Sequence, residues 1–305
     1  KKQNLLDVLD AVGSSIVVGT RGKEVMRILP RLNEDVNEEW ISDKTRFACD
    51  GLRTQRLDKP YVKRSGKLQH ATWHDAYEAV AEKLKRTDKT KIAAIVGDLA
   101  DCESVTVLKD IMDELGVTNI DSRQDGAKTD NKPRASYIFN TTIAGIEQAD
   151  ACLLVGTNPR WEAALINARL RKRHLMGDFK IASIGPEVDL TFPVKNLGNS
   201  AEILQQILDG ENEFSKVLKS AKNPMIIIGS AVLVRKDANA ILNVAKEIAD
   251  KYGLVKDGWN GFNVMQRAAS RVGAIGGAIA GSNVGKGKGN VASNRGRHIT
   301  RCCSW

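Results

Sequence analysis

The sequence predicts an α/β protein: a small N-terminal β module over residues 1–55, then a parallel, doubly wound α/β sheet over residues 56–272. Three observations carry this. Two β-rich runs, 15–20 and 25–29, are joined by the polar link Arg21-Gly22-Lys23-Glu24, as in a hairpin. Short apolar runs then recur at 91–97, 151–156, 180–185 and 224–230, the pattern of strands buried on both faces. Between them lie stretches of helical periodicity, and strands alternating with helices build parallel sheets through right-handed crossovers.

Taken in order, Glu34, Asp35, Glu38 and Glu39 form an acidic bend expected to face solvent, with a neighbouring subunit as its alternative partner. Residues 53–67 read as a charged connector holding Pro60 and Gly66. Thr72 is the N-cap of a helix, with Asp75 approximating a capping box and Ala76, Ala79, Val80 and Leu84 as its apolar stripe. A helix over 101–115 stops at Gly116. Residues 120–134 read as a long polar loop and 135–145 as a helix followed by a turn. The strand at 151–156 exits through Gly156-Thr157-Asn158-Pro159-Arg160 into a helix over 161–174. That helix has Glu162 in its first turn and Arg169, Arg171, Lys172 and Arg173 in its last, the order a helix dipole favours. Helices at 201–208, 213–221 and 238–252 follow, and another starts within 263–272.

Composition excludes several classes. No run of 18 apolar residues occurs, so no membrane-spanning helix is expected. The N-terminal residues lack the long apolar core of a secretory signal. The net charge of +9 suggests an anionic partner. From Arg271 onward, however, there are six basic residues and no acidic one, and subtracting them leaves +3 for the first 270. The same tail holds eight glycines in 35 residues, so 273–305 is expected to be disordered and foreign to the fold. Cys49, Cys102, Cys152, Cys302 and Cys303 form no C-x2-C pair, and Cys102 and Cys152 are expected to be small buried hydrophobes. No Ser–His–Asp grouping or metal-ligand spacing stands out, so no catalytic or metal-binding residue is assigned.

The run ILPRLNEDVNEEWISDKTRFACDGLRTQRL, with NTTIAGIEQADACLLVGTNPRWEAALINARLRK further on, resembles the large iron–sulfur subunits of NADH:quinone oxidoreductase, respiratory complex I. These belong to the molybdopterin oxidoreductase superfamily, and the resemblance implies a sheet of that type. The superfamily carries a [4Fe–4S] cluster on C-x2-C-x3-C, a gap of about 27 residues and C-x-K/R-G. Here those positions hold Asp7, Asp10, Ser14 and Ser42, with 27 residues between the last two. The frame is kept while every thiolate is lost, so a cluster-free β module retained for packing is expected. The Gly156-Thr157-Asn158 turn matches one that contacts the guanine dinucleotide of the pterin cofactor in the superfamily, and its other reading is an ordinary strand–helix turn.

What the resemblance implies is a peripheral-arm subunit serving as scaffold. No cofactor is expected in this stretch; the iron–sulfur clusters would lie in a ferredoxin-like part before Lys1, since the chain starts without Met inside the pattern and is expected to be a fragment. The implied partners are other peripheral-arm subunits, including the NADH/FMN-binding subunit, and no nucleic acid. The implied location is the cytoplasmic face of a bacterial inner membrane or the matrix face of the mitochondrial one. Two alternatives are an active molybdopterin-dependent oxidoreductase and a basic nucleic-acid binder acting through the tail.

Overall fold

The computed structural model describes residues 1–129 and 133–276. It opens with an antiparallel sheet of β1 (Lys2–Leu6), β2 (Ser15–Arg21) and β3 (Glu24–Pro30), in that order. The hairpin expected over 15–29 is β2–β3, to which β1 adds an edge strand that no pattern in the sequence marks. Ile16, Val18 and Ile41 make a small core beneath it. Short helix α1 (Asp43–Phe47) follows, capped by Ser42.

The charged connector runs into a hairpin, β4 (Tyr61–Arg64) and β5 (Lys67–His70), that extends past its expected end at 67 and turns through Ser65 and Gly66 with both φ values positive. Helix α2 (Trp73–Arg86) has the expected capping box, with the Asp75 N–H donating to Thr72 Oγ1 at 3.1 Å and the Thr72 N–H to Asp75 Oδ2 at 3.1 Å. None of its residues is buried, so its apolar stripe does not enter a core.

The apolar run at 91–97 yields only β6 (Ala94–Ile95), followed by α3 (Cys102–Glu114) and β7 (Ile120–Asp121). β6 pairs in parallel with β7 in a separate two-stranded sheet, not with the main one. α3 covers one face through Val105 and Met112, while Ile95 is half exposed on the other. The long loop therefore begins as a strand, and 130–132 lie outside the described residues. The helix expected over 135–145 is replaced by 3-10 turns at Arg134–Ser136 and Ala144–Gln148.

The main sheet comprises β8 (Ala151–Val155), β9 (Lys180–Ile184), β10 (Lys195–Asn196), β11 (Pro224–Ile228) and, past the small antiparallel pair β12 (Val255–Lys256) and β13 (Trp259–Asn260), β14 (Phe262–Val264). The order is β10-β9-β8-β11-β14 and every pairing is parallel. Along β8 the side chains alternate. Ala151, Leu153 and Val155 pack in one cluster with residues of α6 (Glu202–Asp209), α7 (Glu213–Ser220), α8 (Ser230–Leu233) and α9 (Ala238–Lys251). Cys152 and Leu154 pack in the other with Ile166 and Leu170 of α5 (Ala164–Leu175). Burial on both faces is what the doubly wound reading required. The helix expected over 161–174 is two, α4 (Pro159–Glu162) and α5, broken at Ala163 with φ −155°.

The last helix, α10 (Ala269–Gly276), starts after β14 and buries Ala274 and Ile275. The fold thus runs past the expected boundary at 272, while 277–305, with Cys302 and Cys303, lie outside the described residues. Cys152 is buried, which pushes its thiol above the ordinary range, but Cys102 is exposed at the start of α3. Among the described residues no helix is long and apolar enough to cross a membrane.

In the acidic bend Glu34, Asp35 and Glu39 are exposed as expected, and the departure is Glu38. Glu38 accepts from Arg169 at 3.3 Å and pairs with Lys172, both on α5, and Arg169 Nη2 donates to Glu34 O at 2.7 Å. Glu147 joins both cations, lying 2.9 Å from Lys172. Burial alone would raise the Glu147 carboxyl, yet hydrogen bonds from Lys172 and Arg169 hold it below its usual value. Asn37 fixes the bend from inside, accepting the Ser15 N–H at 2.8 Å and donating to Trp40 O at 3.0 Å. The bend therefore docks on its own chain. Arg169 has only 4% of its side chain exposed. Arg169→Ala should cost roughly 2 kcal/mol, less than the ~3–5 of a fully buried pair because Lys172 remains to neutralise the acids. Urea unfolding followed by circular dichroism checks this, and an unchanged midpoint would remove the clamp's importance.

Candidate functional site

The loop between β1 and β2 and the start of α1 meet through hydrogen bonds between oxygen groups. The Asp7 N–H donates to Ser14 O at 2.8 Å. The Thr45 hydroxyl donates to Asp7 Oδ2 at 2.6 Å and lies 2.9 Å from Ser42 Oγ. With its own proton on the Asp7 side, Thr45 accepts the proton of Ser42. The Ser42 oxygen in turn accepts the Thr45 N–H at 3.2 Å as the helix N-cap. Asp7 Oδ1 accepts from Leu9 N at 3.1 Å, and the Lys44 ammonium closes the loop on Leu9 O.

Asp10 accepts only the Val12 N–H at 2.9 Å among the hydrogen bonds described for it. Burial raises its carboxyl above the ordinary range; the Val12 N–H opposes this, the Asp7 charge adds to it, and Lys44 opposes it. Asp7, Asp10 and Ser14 are all buried. The structure thus brings the four positions of the frame together, three of them linked by hydrogen bonds. Sequence reasoning missed Thr45, which stands where the cluster pattern has glycine; that departure was the available signal.

Iron–sulfur clusters are held by thiolates. The frame offers two carboxylates and two hydroxyls, with Asp7, Asp10 and Ser42 already hydrogen-bonded inside the module. These residues do not fit a [4Fe–4S] cluster. Among the described residues no group of three or more His, Cys, Asp or Glu side chains is arranged to hold a metal ion.

The second candidate, Gly156, Thr157 and Asn158, sits at the carboxyl end of β8. Gly156 has φ +56°, and a Cβ there would lie 2.5 Å from Val232 Cγ2, so glycine is required on both counts. The Asn158 N–H donates to Glu162 Oε1 at 2.7 Å, and the Thr157 hydroxyl donates to the same oxygen at 3.2 Å. With these donors taken up by a carboxylate, the turn as it stands does not fit a phosphate group.

The buried Asp10 charge has a pH signature. Its folded pKa is raised, so its contribution is full below the unfolded value and is lost as pH rises through the folded one. Asp10→Asn keeps the acceptor for Val12 and removes the charge. It should stabilise the chain at pH 7 by on the order of 1 kcal/mol, the gain shrinking to nothing in acid. Thermal unfolding of both proteins across pH 3 to about 8 checks the sign.

Comparison with known proteins matches the N-terminal module to a 4Fe-4S domain, although Asp7, Asp10, Ser14 and Ser42 supply no thiolate. Residues 56–300 match the molybdopterin oxidoreductase family, and residues 1–50 match the NADH-ubiquinone oxidoreductase NDSU1/NuoG-like 4Fe-4S domain. A subunit of the NADH-quinone oxidoreductase of Rickettsia bellii is 45% identical over 270 residues, covering 88% of this chain and 40% of the relative. Its counterpart in Rickettsia conorii gives the same figures. The mitochondrial 78 kDa subunit of NADH-ubiquinone oxidoreductase of Neurospora crassa is 48% identical over 286 residues, covering 90% of this chain and 38% of the relative. The chain therefore spans about two-fifths of the length of these relatives, and it belongs to the molybdopterin oxidoreductase family with an NDSU1/NuoG-like 4Fe-4S domain at its N-terminus.

Proposed function

We propose that the chain acts as a structural part of the peripheral arm of an NADH:quinone oxidoreductase, without a redox centre of its own. The relatives' names supply the enzyme. The observation that carries the rest is the Asp7–Thr45–Ser42 chain of hydrogen bonds, which joins two of the cluster-ligand positions through the Thr45 hydroxyl. Electrons then pass through clusters outside these residues, in a ferredoxin-like part of the whole subunit. The pterin-type turn at 156–158 serves packing between strand ends. The partners are other peripheral-arm subunits, the NADH/FMN-binding subunit among them, on the cytoplasmic or matrix side of the energy-converting membrane.

A scaffold and a conductor respond differently to the same substitution. Thr45→Val breaks the network and leaves Asp7 without its hydroxyl donor, a buried loss of about 1–3 kcal/mol. Placed in the full-length subunit, it should reduce the amount of assembled enzyme several-fold, as losses of this size do to abundance. The NADH:quinone rate per assembled complex should stay unchanged. Normal assembly with a slower rate per complex would place the network in the electron path and end the proposal.

A further inference from the structure

The main sheet splits between β8 and β11. From β8 the chain passes to β9 and β10 on one side, and from β11 to β14 on the other. Its helices also divide there, with α5 packed on one face and α8 and α9 on the opposite one. Open α/β sheets take their ligands in the crevice at such a point, outside the carboxyl ends of the strands. Here both crest loops reach one side chain. Glu162 Oε1 accepts the Asn158 N–H and the Thr157 hydroxyl from the β8 loop, at 2.7 and 3.2 Å. Glu162 Oε2 accepts the Ser230 hydroxyl from the β11 loop, at 3.1 Å.

The loops lie close enough that a Cβ on Gly229 would come within 2.3 Å of Gly156 O and 2.5 Å of Thr157 Cβ. Ser230 is buried. Helix α4 is a single turn, so the two hydroxyls and one amide, not a helix dipole, hold the carboxylate. Glu162 also borders a cavity of about 520 Å³ whose walls carry Lys44, Arg267 and Arg271 along with Asp98 and Asp125. Arg271 is paired with Asp125 at 2.9 Å and leaves its buried Nε without a hydrogen-bond partner.

We propose that the Glu162 carboxylate is a built-in substitute for a ligand phosphate, bridging the ends of β8 and β11 and closing the crevice to phosphate-bearing molecules. The chemistry is that of an anion seat: three convergent donors around one negative group, with cations across an adjoining cavity. A carboxylate on the chain's own helix fills it at no cost in translational freedom, whereas a free anion would have to bear that cost. The inference deepens the scaffold reading and rests on it, since it gives a residue-level reason why the family's sheet can stay closed here.

Inorganic pyrophosphate is the probe, added to wild type, Glu162→Ala and Glu162→Gln and followed by thermal unfolding and titration calorimetry. Wild type should neither gain stability nor release heat. Glu162→Ala should melt lower than wild type and recover on addition of pyrophosphate, binding it at least about tenfold more tightly than wild type does. Glu162→Gln, which keeps the shape and loses the charge, makes the same test should the alanine variant not fold. Folded variants indifferent to pyrophosphate would overturn the substitute role and leave the scaffold reading standing. Wild type stabilised by pyrophosphate as strongly as Glu162→Ala would likewise overturn the substitute role, and the scaffold reading would stand or fall on the Thr45→Val test.

Discussion

One guanidinium, buried where two parts of the chain meet, fixes their relation. Arg169 projects from α5, whose apolar side closes the main sheet, and its charge is met by Glu38 and the Glu34 carbonyl of the N-terminal module and by Glu147 before β8. A buried cation with hydrogen bonds in three directions tolerates little displacement, because a buried guanidinium that loses its acceptors is costly. The bend it holds is itself strained, Glu38 having φ +49°. Through Asn37, which bonds the bend to Ser15 at the head of β2, the same constraint reaches the loop carrying Asp7, Asp10 and Ser14. The cluster-shaped loop and helix α5, which covers the main sheet, are thereby held by one set of charges.

How much of this the sequence discloses depends on how local the cause is. β8, β9 and β11 were legible because a strand buried on both faces must be apolar throughout, and no neighbour is needed to see that. The capping box of α2 was legible for the same reason, its two partners being three residues apart. The break between α4 and α5 was not legible, because no glycine or proline marks Ala163, where the backbone turns extended. Nor could periodicity show that β6 would pair only with β7, or that the α2 stripe would find no core: both depend on which surfaces the rest of the chain has left uncovered.

The candidate site divides along the same line. The spacing of Asp7, Asp10, Ser14 and Ser42 is a property of the sequence, and it pointed to positions that the fold does bring together. What fills the space between them is a long-range matter: Thr45 reaches across 38 positions to Asp7. Within the acidic bend only Glu38 was misjudged, and for the same cause, since a carboxylate has the same local appearance whether water or Arg169 faces it. In each case the oxygen or charge was visible and its partner was not.

At the centre of the proposed scaffold role stands the oxygen chemistry of Asp7, Asp10, Ser14 and Ser42 at the positions where the family's pattern has cysteines. The most direct measurement is the iron and acid-labile sulfide content of the purified chain after anaerobic reconstitution, with paramagnetic resonance of the reduced sample. Neither element should rise above the background of a protein without a cluster, and no signal should appear. Stoichiometric iron and sulfide with a reducible signal would contradict that role.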